Sequence, residues 1–361
     1  MKKLILFLLI IMSVPAAGQS GKIVFHNADE FPVYGKISDE TNSRYERLPG
    51  YLENVTRKPV WNLGLNSAGL YIRFRSDSPI LKFKWELLQD TKKTHMPPTA
   101  IKGVDLYMQT DKGWRYVACP KLKDDSIKQE VSVRMDPVER EFMLYLSLYD
   151  SVVSLQIGVE EGSFIGQPAS DSPRHEKPVI MYGTSILQGG CVSRPGMAHT
   201  NILSRKLDRD VINLGFAGNA HLDYEIAELM ASYKNPGVFV LDYTPNASGE
   251  LIDKKAEKFF RILRDAHPDV PIVFIELPPY PRAEFNTKGR ISMQERSDAQ
   301  RRIYEKMRKA GEKNIFYIKS EGMLGDDGDA TVDGTHFSDL GMMRYVEHVL
   351  PTLKKALARN R

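Results

Sequence analysis

Near Pro173-Arg174-His175-Glu176-Lys177-Pro178 the periodicity of this chain changes, and that change constrains the fold more than any single motif. Before it, short runs alternate apolar and polar residues. Leu70-Tyr71-Ile72-Arg73-Phe74-Arg75 is followed by Ser76-Asp77-Ser78-Pro79 and then Ile80-Leu81-Lys82-Phe83-Lys84-Trp85, which reads as two strands joined by a turn. Further strand-like runs lie at 104–108, 114–118, 141–148 and 153–159, with no helical stretch between them. Successive side chains of a strand point to opposite faces, so many short alternating strands predict stacked antiparallel sheets. The expected fold of this half is a β-sandwich of jelly-roll type.

Beyond 178, strands and helices alternate. Strands are predicted over 179–182, 211–214, 238–241, 271–276 and 315–318, and helices over 197–207, 223–233, 249–266, 292–310 and 339–358. Parallel neighbours need a crossover connection, usually a helix, so this order predicts an α/β domain with a mostly parallel sheet. In such sheets ligands sit at the carboxyl ends of the strands. The polar, proline-bounded stretch at 173–178 reads as a linker between domains at 19–172 and 173–361. Roughly 340 residues suit two domains.

Residues 1–18 read as a secretory signal peptide. Met1-Lys2-Lys3 is basic, 4–14 is an apolar run too short to span a membrane, and Pro15-Ala16-Ala17-Gly18 supplies small residues for cleavage. The junction has no cysteine for a lipid anchor. No second long apolar run follows, so the sequence predicts an exported chain, periplasmic or extracellular in a bacterium, without a membrane span. Without Lys2 and Lys3 the formal charge falls from +4 to +2, which gives no reason to expect nucleic acid or an acidic membrane as a partner. Cys119 and Cys191 are too few for a disulfide scaffold and fall in different predicted domains.

The chemistry lies at the strand ends. Gly183-Thr184-Ser185-Ile186 follows the first strand of the α/β half, and Asp333-Gly334-Thr335-His336 puts a carboxylate and an imidazole on one short loop. Serine is a poor nucleophile until a histidine takes its proton, and a carboxylate fixes the tautomer that does so. Leu187 rules out the G-x-S-x-G elbow. After the second strand, Asn213-Leu214-Gly215-Phe216-Ala217-Gly218-Asn219 offers a glycine amide. After the third, Asp242-Tyr243-Thr244-Pro245-Asn246 offers a side-chain amide that can donate to an oxyanion. Each segment alone also reads as an ordinary turn; their order makes the case. The other seven histidines are scattered without ligand spacing and read as structural or surface residues, so no metal is expected, and a serine mechanism resolved by water calls for no cofactor.

Serine, glycine, asparagine and histidine after successive strands resemble the four blocks of the SGNH (GDSL-type) hydrolases. Ser185 matches the nucleophile, Gly218 the second-block glycine, Asn246 the third-block asparagine, and Asp333 with His336 the last block. The resemblance implies a flavodoxin-like fold and ester hydrolysis through an acyl-enzyme. Ser185, His336 and Asp333 would form the triad, and the backbone N–H groups of Ser185 and Gly218 with the Asn246 amide would form the oxyanion hole. Two positions depart from the pattern: Thr184 stands for the aspartate of G-D-S, and the third-block glycine is Tyr243 or Thr244.

Gly103-Val104-Asp105-Leu106-Tyr107 resembles the G-x-D-L-Y motif of a domain found ahead of SGNH modules in exported bacterial proteins. It also reads as buried strand residues Val104 and Leu106 with Asp105 in a turn. A sandwich followed by an SGNH module is similar to carbohydrate esterase family two, whose members remove acetyl groups from glycans. The resemblance therefore implies an acetylated glycan or oligosaccharide as substrate. The alternatives are a lipid, thioester or aryl ester, or an inactive glycan-binding protein. Leu277-Pro278-Pro279-Tyr280-Pro281-Arg282 follows the fourth strand of that half and predicts a rigid loop at the substrate pocket. Tyr280 on it, and Tyr243 and Phe337 beside the catalytic positions, are expected to bind substrate.

Overall fold

The computed structural model describes residues 21–119, 121–122 and 126–360; the expected signal segment, 1–18, lies outside them. The first half runs β1 (Ile23–Asn27), β2 (Val33–Tyr34), α1 (Lys58–Gly64), β3 (Tyr71–Ser76), β4 (Ile80–Leu87), α2 (Pro98–Ile101), β5 (Asp105–Thr110), β6 (Gly113–Ala118), β7 (Lys128–Arg134), β8 (Arg140–Tyr145), β9 (Val152–Glu160) and β10 (Ile165–Gly166). One sheet has the order β1-β9-β4-β7. The other has the order β10-β3-β8-β5-β6, with β2 beside β3. All these pairings are antiparallel. The alternation in β4 sends Leu81, Phe83 and Trp85 inward to meet Ile72, Phe74, Phe142 and Leu144 of the facing sheet. Each such fully buried side chain contributes about 1.5–3 kcal/mol.

The second half runs β11 (Arg174–Gly183), α3 (Ser185–Gln188), α4 (His199–Leu207), β12 (Arg209–Gly215), α5 (Tyr224–Ser232), β13 (Val238–Asp242), α6 (Gly249–Ala266), β14 (Ile272–Ile275), α7 (Thr287–Lys309), β15 (Ile315–Ile318) and α8 (Asp339–Arg359). Its sheet has the order β12-β11-β13-β14-β15 and is wholly parallel. The strands are buried on both faces, which explains their continuous apolar runs. Val179 and Met181 face α4 and α8, whereas Ile180 and Tyr182 face α5 and α6.

The structure corrects the sequence reading at three places. Stretch 173–178 is not a free linker: β11 starts at Arg174, paired with Arg209, and shifts register before Val179. Pro178 sits at that shift, where its missing N–H interrupts no regular ladder. Second, the first half does contain helices. α1 and α2 are short, and each has a proline in its first turn, where a missing N–H costs nothing. Third, Asp105 is not in a turn but opens β5 and is fully buried.

The two halves share their cores. Ile37, Leu48, Leu52, Val60 and Trp61 pack with the α5/α6 side of the parallel sheet, and Met96, Ala100, Ile101 and Leu148 pack with the α4/α8 side. Polar contacts reinforce this union. Asp105 accepts Gly196 N at 2.9 Å and Arg194 Nη1 at 2.5 Å, and Arg194 also donates to the Tyr107 hydroxyl. Buried Arg47 donates to the carbonyls of Asn213 (3.0 Å) and Gly215 (2.9 Å) at the end of β12. No helix among the described residues is long and apolar enough to cross a membrane.

Candidate active site

Ser185 begins α3 directly after β11. The Thr184 hydroxyl caps this turn by accepting Ile186 N at 3.3 Å, so the residue that departs from G-D-S has a local structural use. Gly183 is required by close approach: a Cβ there would lie 2.7 Å from the Asp242 carbonyl oxygen. Ser185 Oγ is 2.8 Å from His336 Nε2, and His336 Nδ1 is 2.7 Å from Asp333 Oδ2. Asp333 Oδ1 accepts the backbone N–H groups of Thr335 (3.0 Å) and His336 (2.8 Å), which folds the loop back on itself. Burial pushes the Asp333 carboxyl up, but the hydrogen bonds from the His336 backbone and ring and from Thr335 outweigh it and hold the group below its usual range. An ionised Asp333 keeps the proton on Nδ1 and turns the Nε2 lone pair toward Ser185.

Gly218 and Asn246, the other two expected oxyanion donors, line the same cavity of about 350 Å³ as Ser185 and His336. Gly218 has φ +70°, and a Cβ there would meet open space, so its glycine serves backbone conformation rather than close packing. Ala220 N donates to Asn246 Oδ1 at 3.3 Å, which leaves the Asn246 NH₂ as the free donor. Gln188 holds the Gly218 loop, accepting Ala217 N at 3.1 Å while donating to the Leu148 carbonyl.

The first half also reaches this cavity. Lys93, His95 and Tyr149 line it, and the His95 ring centroid lies 5.5 Å from that of His336. The Tyr149 hydroxyl donates to the Ser185 carbonyl at 3.0 Å. Sequence reasoning missed these residues and placed His95 among the scattered histidines. The only signal was a polar run, Lys92-Lys93-Thr94-His95, where strand alternation breaks after β4. Ligand atoms of His95, Cys191, Asp333 and His336 lie within 4.8 Å of one another. Two of these residues are already hydrogen-bonded together, and the Cys191 thiol donates to the His95 carbonyl. Burial pushes that thiol up to about 12, so without a bound cation it stays protonated at neutral pH. Cys119 and Cys191 are both free.

Two expected substrate residues fall elsewhere. Tyr243 and Phe337 are fully buried and cannot stack on a sugar. Tyr243 continues the inward face of β13 set by Phe239 and Leu241 into the helix layer beside the sheet, and Phe337 packs on Tyr345 of α8. Tyr280 is nearly buried but lines a neighbouring cavity.

With this geometry the chain compares closely with known proteins. The GDSL-like Lipase/Acylhydrolase family model matches residues 176–354, and the GxDLY model, the N-terminus of SGNH-hydrolase-type esterases, matches 23–165. A crystal structure from Bacteroides ovatus termed a GDSL-like lipase is 34% identical, with a TM-score of 0.88, covering 93% of this chain and 98% of that one. The chain belongs to the GDSL-like lipase/acylhydrolase family. This acylhydrolase also shares its fold with a salicylyl-acyltransferase from a tetracycline biosynthetic pathway (18% identity, TM-score 0.74, 94% and 98% coverage). A family two carbohydrate esterase from Cellvibrio japonicus has the same arrangement (13%, 0.60, 94% and 100%). No curated protein matches the chain. Membership makes this acylhydrolase an enzyme of the esterase/lipase class, with an ester as substrate.

Proposed function

We propose that this acylhydrolase is an exported serine esterase that removes O-acetyl groups from a glycan. The observation that carries the reading is the continuous hydrogen-bonded line from Ser185 through His336 to Asp333, at 2.8 and 2.7 Å, opening on a cavity with unspent donors. Ser185 Oγ attacks the ester carbonyl and passes its proton to His336 Nε2. His336 returns that proton to the departing sugar oxygen, and Asp333 holds the ring throughout. The oxyanion is bound by the backbone N–H groups of Ser185 and Gly218 and by the Asn246 amide. Water, deprotonated by the same His336, then releases acetate from the acyl-serine, a sequence that needs no metal and no cofactor.

The signal-like segment at 1–18 supports export, and the order of a sandwich before an SGNH module supports a glycan substrate. A second reading has one observation in its favour. Phe285 is 88% exposed, with Ile291 and Val332 about half exposed on segments beside the site, which suits an apolar acyl chain or lipid ester.

The test is hydrolysis of p-nitrophenyl acetate and acetylated xylan beside the Ser185→Ala variant. Acetate release from both, lost in the variant, is the expected result. Preference for long-chain p-nitrophenyl esters transfers the assignment to the lipid reading, and equal activity in the variant overturns the triad.

A further inference from the structure

We propose that a subsite beside the triad binds a carboxylate carried by the substrate; this rests on the glycan-ester reading and names its substrate class as an acidic, uronate-containing glycan. A second cavity, of about 290 Å³, shares Pro245 and Thr335 with the triad cavity and is walled by Tyr280, Arg282, Asn286 and Arg296. Among the described residues no carboxylate lines either cavity. Asp333, the acid of the relay, is hydrogen-bonded to His336.

The cations around these cavities lack carboxylate partners. Among the described residues Lys93, Arg282 and Arg296 form no ion pair, although arginines elsewhere regularly do: Arg57 with Asp223, Arg73 with Glu141, Arg301 with Glu276. Arg296 Nη1 donates to the Pro245 carbonyl at 3.0 Å, which fixes its guanidinium beside the loop bearing Asn246. Its Nε, and the hydroxyl of Tyr280, are screened from solvent and have no hydrogen-bond partner. Arginine Nε can only donate, and a phenol above its usual range keeps its proton. The donor of this wall that a substrate carboxylate can reach from solvent is the exposed Arg282 guanidinium. Lys93, contributed by the other half of the chain, adds positive charge to the adjoining triad cavity. A planar guanidinium pairs with a carboxylate through parallel N–H bonds and discriminates against the neutral analogue. A uronate that itself bears the ester supplies that group on the same ring as the scissile bond.

The experiment compares kcat/KM for fully O-acetylated methyl glucuronoside, with its carboxylate free, and fully O-acetylated methyl glucoside. A third substrate, a neutral sugar bearing a monosuccinyl ester, places the carboxylate on the acyl side instead. The wild type is expected to favour the acid over the neutral sugar by about tenfold, mostly through KM, and to lose this preference as salt rises. Arg282→Gln, a substitution at an exposed position, should bring the ratio near unity, Arg282→Lys should retain part of it, and Lys93→Gln should lower it less. Equal rates on acid and neutral sugars, with Ser185-dependent p-nitrophenyl acetate hydrolysis intact, overturn the subsite and leave the esterase standing. Preference for the succinyl ester alone overturns the uronate assignment. Calorimetric titration of Ser185→Ala with methyl glucuronoside against methyl glucoside reads the subsite without turnover. Tighter binding of the acid, lost in Ser185→Ala/Arg282→Gln, is expected; equal affinity rejects the proposal even if the esterase reading itself has failed.

Discussion

The two halves of this acylhydrolase contribute to one cavity in different ways. The α/β half brings every group proposed to touch the reacting ester, three of them at strand ends: Ser185 after β11, Gly218 after β12 and Asn246 after β13, with the 333–336 loop before α8. The sandwich half brings props and a wall. Tyr149 holds the Ser185 carbonyl, Arg47 holds the end of β12, Asp105 holds the loop before α4, and Lys93 and His95 close one side. The first kind of contribution depends on short local geometry, and the second on contacts between residues far apart in the chain. Substitutions in the first should cost rate, whereas those in the second should cost stability or alignment.

That division can be broken experimentally, most strongly at Asp333. Asp333→Asn leaves the loop's shape but no longer favours the proton on Nδ1, so kcat is expected to fall about 10⁴-fold with little change in melting temperature. A loss smaller than tenfold would remove Asp333 from the relay. Next is Asp105→Ala, which strands Arg194 and Gly196 N in a buried interface. Denaturant titration should report a loss of about 3–5 kcal/mol, with KM for a small ester changing less than stability does.

A third prediction sharpens the contrast between two aspartates. Asp333 is held low, but Asp242, at the end of β13, is raised from 3.8 to about 6 by complete burial, against the single hydrogen bond from the Tyr345 hydroxyl. The unfolded chain therefore releases this proton first as pH rises. The folded state loses stability between about pH 4 and 6, and the loss is complete above that window. Asp242→Asn removes the titration while keeping an acceptor for Tyr345. Relative to wild type, the variant should gain about 3 kcal/mol between pH 4 and pH 8, read from chemical denaturation at each pH. Parallel curves would mean that Asp242 is solvated. The smallest effect is expected at Tyr149→Phe, where one prop to Ser185 is lost: a few-fold fall in kcat, about 1 kcal/mol, with KM unchanged.

Legibility in the sequence followed the same line. Helix 249–266 and strand 315–318 were read to the residue because their periodicity and flanking turn signals are local. The positions of Ser185, Asp333 and His336, which the structure brings within hydrogen-bonding distance, were legible because D-x-x-H fits on one loop and the serine turn follows one strand. Tyr243 and Phe337 were misread because nearness in sequence to a reactive residue does not say which way a ring faces, and the apolar face of the layer decided it. Lys93 and His95 show in the sequence only as a polar run, because no local pattern marks a side chain that arrives from the other half of the fold, whereas Arg282 lies on the loop expected at the pocket. The start of β11 at Arg174 was hidden by Pro178, since a register shift accommodates a proline that a regular ladder would refuse.

The burial of Ile37, Leu48, Val60 and Trp61 against the α5/α6 side has a practical consequence for building chimaeras from such enzymes. A cut at residue 173 follows the change in periodicity but would strip a catalytic module of part of its own interior, leaving an apolar scar prone to aggregation. A graft that is to avoid aggregation must carry the stretch from about 37 to 65 with the hydrolase, or replace that face with polar side chains. The modular unit that recombination has to move is therefore discontinuous in sequence, although the enzyme reads along the chain as two simple pieces.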